Sequence, residues 1–190
     1  MLSEIDHNSI LTEIFPGIYS RKNHLSEFVL DHYVSRLDSL SEKQWHIHNN
    51  IEKGDISGEY LDGKLSKDMI EREFHERLIE YFALKKMWIF CHGNFLRLKT
   101  GESSTLEDSL IDHLMNYVEI VPYKLAIYMS DFEGGEIVFP GVNFKYKPEA
   151  GEMLIIKIDP ELDHYTEVVT SGTRYVYFDY LVKHPGYIMP

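Results

Sequence analysis

His164 and Arg174 stand ten positions apart in the stretch DHYTEVVTSGTRYVYFDYL, residues 163–181. A neutral imidazole can hold a divalent metal. A guanidinium pairs with a carboxylate through two parallel hydrogen bonds. If both face one cavity, they form a metal ligand and a carboxylate clamp. The plain alternative is a hairpin that contains both, with Thr170, Ser171 and Gly172 as its turn. Strand alternation from Thr173 to Val182 puts Arg174, Val176 and Phe178 on one face. An arginine leading an apolar face needs an anionic partner or must reach water along its stem. His164 alone is as well explained as a rim residue. Tyr128, in YKLAIYMSD, shares its face with Lys124 and Ala126. An inward phenol there needs a hydrogen-bond partner, either a ligand carboxylate or a backbone carbonyl.

The elements that must position these residues fall into two textures. In the first half, LSEFVLDHYVSRLDSL sets Leu25, Phe28, Val29, Tyr33, Leu37 and Leu40 on a helical face, with Ser26 as N-cap. SKDMIEREFHERLIEYFA repeats the pattern with Met69, Ile70, Phe74, Leu78 and Phe82 after Ser66. Between them, residues 48–64 read as a long polar loop, and residues 45–64 as the candidate lid over a cavity mouth. From Met87 the chain breaks into short aromatic and β-branched runs separated by KTGES, DFEGGE, PG, KPEAG and TSG. Many short strands with such punctuation predict a jelly roll or sandwich. Helices that precede the strands rather than alternate with them disfavour a parallel α/β fold. DFEGGE reads as a hairpin turn, with Asp131, Glu133 and Glu136 at the surface. Trp45, Trp88 and Cys91 read as core.

The 190 residues suffice for one domain with a real core. The net charge of −12 argues against a nucleic-acid partner, since phosphate binding needs clustered Lys and Arg. Cys91 is the only cysteine, so no intrachain disulfide forms, which fits a reducing, cytoplasmic setting. No apolar run approaches a membrane span, and the N-terminal segment does not read as a secretory signal.

Taken in order, the C-terminal pieces resemble the iron(II)- and 2-oxoglutarate-dependent dioxygenases, in particular their prolyl 4-hydroxylase-like branch. The pieces are a strand ending Tyr-Met-Ser-Asp, a Gly-Gly-Glu segment, a Phe-Pro turn and a Lys-Pro-x-x-Gly turn. His164 then precedes Thr-Ser-Gly-Thr-Arg-Tyr. The resemblance runs from about Phe95 to Val182, with a weaker echo at NHLSEFVLDHYVSRLDSLSEKQW. It implies a mainly β protein with flanking helices, a double-stranded β-helix of cupin-like, jelly-roll type. It further implies one domain over 1–190, helical to about 86, with the jelly-roll core at about 87–183. The implied cofactors are Fe(II) and the co-substrate 2-oxoglutarate, with ascorbate as an optional addition. The implied activity is hydroxylation of a C–H bond in a small-molecule or peptide substrate, such as a peptidyl proline or an amino acid. By the same resemblance His164 matches the distal metal histidine. Arg174 matches the arginine on the far carboxylate of 2-oxoglutarate, and Tyr128 the tyrosine beside it.

The pattern breaks at the first two metal ligands, which come as His-x-Asp in that family. No His-x-Asp or His-x-Glu occurs in this chain. The best register puts Asp108 on the aspartate and Leu106, which binds no metal, on the histidine. Glu107 and His113 are the substitute ligands nearby, with His92 more remote. A site completed by one of these is one expectation. A weak site of Asp108 and His164 alone is another. The third is a catalytically degenerate binding module on the same fold, and a cupin-type isomerase would need a denser metal set.

Overall fold

The computed structural model describes residues 11–50, 55–62, 65–66, 87–89, 93–104 and 123–183. The mainly β architecture is as expected. The chain opens with strands β1 (Thr12–Phe15) and β2 (Ile18–Arg21), then helix α1 (Glu27–Asp38). Next come β3 (Trp45–Asn50), β4 (Asp55–Leu61), β5 (Met87–Ile89) and β6 (Asn94–Lys99). β7 (Tyr123–Tyr128), β8 (Phe132–Gly134), β9 (Ile137–Phe139) and β10 (Phe144–Tyr146) follow. β11 (Met153–Lys157), β12 (Tyr165–Thr166) and the long β13 (Val169–Lys183) complete the described elements.

A large antiparallel sheet runs β1-β2-β11-β7-β13-β6-β4-β3, with β5 and β8 also paired to β13. A small sheet runs β10-β9-β12. Period-two alternation divides the large sheet into two apolar faces. Leu125, Ile127, Met153, Ile155, Tyr175 and Tyr177 share one cluster with Tyr33 and Leu37 of α1. Ala126, Tyr128, Leu154, Ile156 and Val176 share the other with Ile137 and Phe139 of the small sheet. A cavity opens on this second face, between the two sheets.

Several expectations change here. Residues 45–50 and 55–61 are not a loop. β3 and β4 pair antiparallel at the sheet edge, and β4 pairs with β6. The polar composition that hid them is what an edge strand uses to avoid pairing with other chains. The part before residue 86 is accordingly as much strand as helix among the described residues, and its strands join the same sheet as the C-terminal ones. The helix expected after Ser66 lies outside the described residues. On α1, Tyr33 and Leu37 are buried as expected, but Phe28 is 69% exposed. Ser26 occupies the N-cap with its backbone only, since its side chain makes no capping bond.

Thr170, Ser171 and Gly172 are not a turn. They lie within β13, where the pairing with β8 slips between Val169 and Ser171. Gly172 adopts φ +80°, which only glycine takes up without strain. It marks the point where β13 leaves β8 and joins β6 and β7. DFEGGE is likewise not a hairpin, because β8 pairs with β13 while β9 pairs with β10 and β12. Gly134 (φ +68°) carries the chain from one sheet to the other. Asp131 and Glu133 are exposed and Trp45 is buried, as expected. The side chain of Trp88, and Cys91 altogether, lie outside the described residues.

Candidate functional site

One cavity between the sheets is lined by Arg174, Val176 and Phe178 of β13 and by Lys124, Ala126 and Tyr128 of β7. These are the two alternating triplets of the sequence, brought side by side by the register Val176↔Tyr128 and Phe178↔Ala126. Ser104, Thr166 and His164 close the cavity from the side of the small sheet. The bridge between Ser104 and Thr166 sets that wall, with each backbone N–H donating to the other's carbonyl at 3.1 Å.

Arg174 is only 4% exposed. Its guanidinium carbon lies 5.1 Å from the ring centre of Tyr128 and 5.7 Å from that of Phe132. Both aromatic faces stabilise the charge through their quadrupoles. Tyr128 is buried, and burial pushes its phenol up to about 12. The charge and hydrogen bond of Arg174 oppose that rise, and the charge of Glu152 adds to it. The hydroxyl therefore keeps its proton at neutral pH and is available as a donor. The described lining holds the cations of Arg174 and Lys124 and no Asp or Glu. Such a cavity suits an anionic ligand with an apolar waist.

His164 follows a short 3₁₀ turn, Pro160–Leu162, which Asp159 caps by accepting from the Glu161 N–H at 3.2 Å. Its Nδ1 lies 3.1 Å from the Leu162 carbonyl, and its ring packs 5.0 Å from that of Phe139. A carbonyl only accepts, so Nδ1 carries the proton in this contact. That backbone bond is the usual way a metal-binding histidine is held in one tautomer. Among the described residues no three His, Cys, Asp or Glu converge as a metal site. The described chain thus fits the carboxylate end of an oxo acid and supplies one imidazole for a metal. Asp108, Glu107 and His113, with Leu106 and His92, lie outside the described residues.

Sequence reasoning brought Arg174, Tyr128 and His164 forward, and the fold brings all three to one cavity. It gave no role to Lys124, although alternation had already placed it on the same face. It also missed Tyr60 of β4, whose ring meets Phe178 edge-on at 5.6 Å. The polar look of β4 concealed that neighbour.

No family model and no curated protein matches this chain. Solved structures do. A viral collagen prolyl hydroxylase from Paramecium bursaria Chlorella virus-1, solved as a 2OG complex, superposes with TM-score 0.56 at 16% identity, covering 88% of this chain and 96% of that one. A Trichoplax adhaerens prolyl hydroxylase, in complex with a hypoxia inducible factor peptide fragment, superposes at 0.60 and 12% identity, covering 88% and 84%. NgTET1 in complex with 5mC DNA gives 0.54 at 15% identity, covering 90% and 73%. The fold is that of the 2-oxoglutarate- and Fe(II)-dependent oxygenases. These neighbours include proteins in complex with peptide and with DNA, so the fold by itself is compatible with both.

Proposed function

We propose that this chain is a 2-oxoglutarate- and Fe(II)-dependent oxygenase that hydroxylates a C–H bond of a peptidyl prolyl or amino-acid substrate. The observation that carries the reading is the convergence of His164, Tyr128 and Arg174 on one cavity whose described lining holds no acid. Arg174 and Tyr128 bind the far carboxylate of 2-oxoglutarate, the first by charge and the second by its protonated hydroxyl. His164 offers Nε2 to the iron, with Asp108 as the carboxylate ligand and Glu107 or His113 in place of the absent histidine. A bound Fe(II) at these residues would supply dioxygen activation coupled to oxidative decarboxylation of the oxo acid. The chain's own part is to fix the acid's orientation and to keep the apolar waist of the cavity, Ala126, Val176 and Phe178, free of competing polar groups. A peptide or amino-acid substrate is favoured over nucleic acid by the net charge of −12, which repels a phosphate backbone.

The test is an anaerobic titration with Fe(II) and then 2-oxoglutarate, followed through the visible charge-transfer band. The wild type is expected to develop the band, and His164→Ala to lose it. An iron-free protein with no band in either form would overturn the oxygenase reading.

A further inference from the structure

The proposed roles leave one charged residue of the cavity unused. Lys124 lines it together with Arg174, yet the two lie at opposite ends of its floor. Strand register fixes this arrangement. Tyr128 sits opposite Val176, Ala126 opposite Phe178, and Lys124 opposite Tyr180. Arg174 lies one inward position beyond Val176, so the two cations are separated by three inward positions along the sheet. At ~3.3 Å per residue that is about 20 Å between their backbones. Both side chains are long, and Arg174 already leans along the floor toward Tyr128, 5.1 Å from its ring centre. With Lys124 extended along the floor in the opposite sense, the gap between the charged heads would come down to the scale of a short dicarboxylate with a hydrogen bond at each end. The floor between them is apolar, and its central position is Ala126, the smallest side chain in it, which leaves room for a ligand's methylene chain.

We propose that Lys124 is a second carboxylate-recognition residue, and that one short dicarboxylate is held between Lys124 and Arg174 without requiring a metal. This rests on the reading of the cavity as an oxo-acid site and adds to it a discriminating element. A ligand with a single carboxylate engages only the Arg174 end. One with two engages both, in a partly desolvated setting where charge pairing is stronger than in water.

Isothermal titration of the whole chain in EDTA tests this, with glutarate as the two-carboxylate probe and valerate as its one-carboxylate counterpart. Wild type is expected to prefer glutarate by at least tenfold. Lys124→Met should abolish that preference and leave valerate binding unchanged, while Lys124→Arg should restore most of it. Lys124 is half-buried at a strand end, and thermal unfolding of both variants checks that they remain folded. If Lys124→Met binds glutarate with wild-type affinity and preference, the inference is overturned and the oxo-acid reading stands. If wild type binds neither probe, the inference is overturned, and the oxo-acid reading is decided separately by the Fe(II) titration above.

Discussion

Arg97 and Arg174 are both 4% exposed, and they lie on neighbouring strands. Arg97 pairs with Tyr175 and Arg174 with Leu98, so alternation turns them to opposite faces of one sheet. Their surroundings differ in kind. The Nε of Arg97 donates to Glu59 at 2.5 Å and its Nη2 donates to Glu42, while its guanidinium also lies 4.3 Å from the Trp45 ring centre. Lys99 reinforces the same two carboxylates at 2.8 and 3.2 Å. The protein supplies these counter-charges itself, tying β4 and the segment before β3 to β6. Arg174 instead meets two aromatic faces and a phenol, at the edge of a cavity with no acid in its described lining. Equal burial thus ties strands together in one case and, under the proposed function, serves ligand recognition in the other. Among the described residues, carboxylates surround the first guanidinium and aromatic rings the second.

Substituting each arginine should break the symmetry most visibly. Arg97→Leu leaves the half-buried Glu59 without its closest cation, and should cost roughly 3 kcal/mol in chemical denaturation. Arg174→Met should cost under about 1.5 kcal/mol, yet weaken 2-oxoglutarate binding about 100-fold, measured by calorimetry. Equal stability losses for the two variants would remove the distinction drawn here.

A second buried ring sharpens the comparison through pH. His24 is fully buried, and burial first, then the charge of Arg21, lowers its pKa to about 3. In the unfolded chain it takes up a proton near ~6.5. Stability is therefore complete above that value and declines as pH falls from there toward about 3. Denaturation midpoints measured across this window should fall, and His24→Leu should flatten the decline.

The smaller effects probe the cavity's neutral donor and the outer face. Tyr128→Phe removes one hydrogen-bond donor, and should weaken 2-oxoglutarate about tenfold. Because its folded pKa is raised to about 12, the stability it contributes is full below pH 10 and is lost between there and about 12. That alkaline decline should shrink in the Phe variant when unfolding is followed against pH. Phe28→Ser, on the exposed side of α1, should change stability by no more than about 0.5 kcal/mol.

The sequence and the fold agree where alternation is strong. The inward sets Lys124, Ala126, Tyr128 and Arg174, Val176, Phe178 are legible by counting in twos, and the cavity is built from them. The chain is harder to read where polar composition serves an edge, as in β3 and β4. It also misleads where a glycine bends a strand instead of ending it. Gly172, within Thr-Ser-Gly, looks in sequence like a hairpin turn, yet it is a bend inside β13. The difference depends on partners distant in sequence, β8 on one side and β6 and β7 on the other. The arginines show the same limit. FLRLK and GTRYV look equivalent in sequence, and only the fold brings Glu42 and Glu59 to the first.

A crystal structure with 2-oxoglutarate bound would test the central claim most directly. The account predicts the far carboxylate within hydrogen-bond distance of the Arg174 guanidinium and the Tyr128 hydroxyl, with the keto end toward His164. Arg174 turned instead onto a carboxylate of the chain itself, with the acid bound elsewhere, would contradict it.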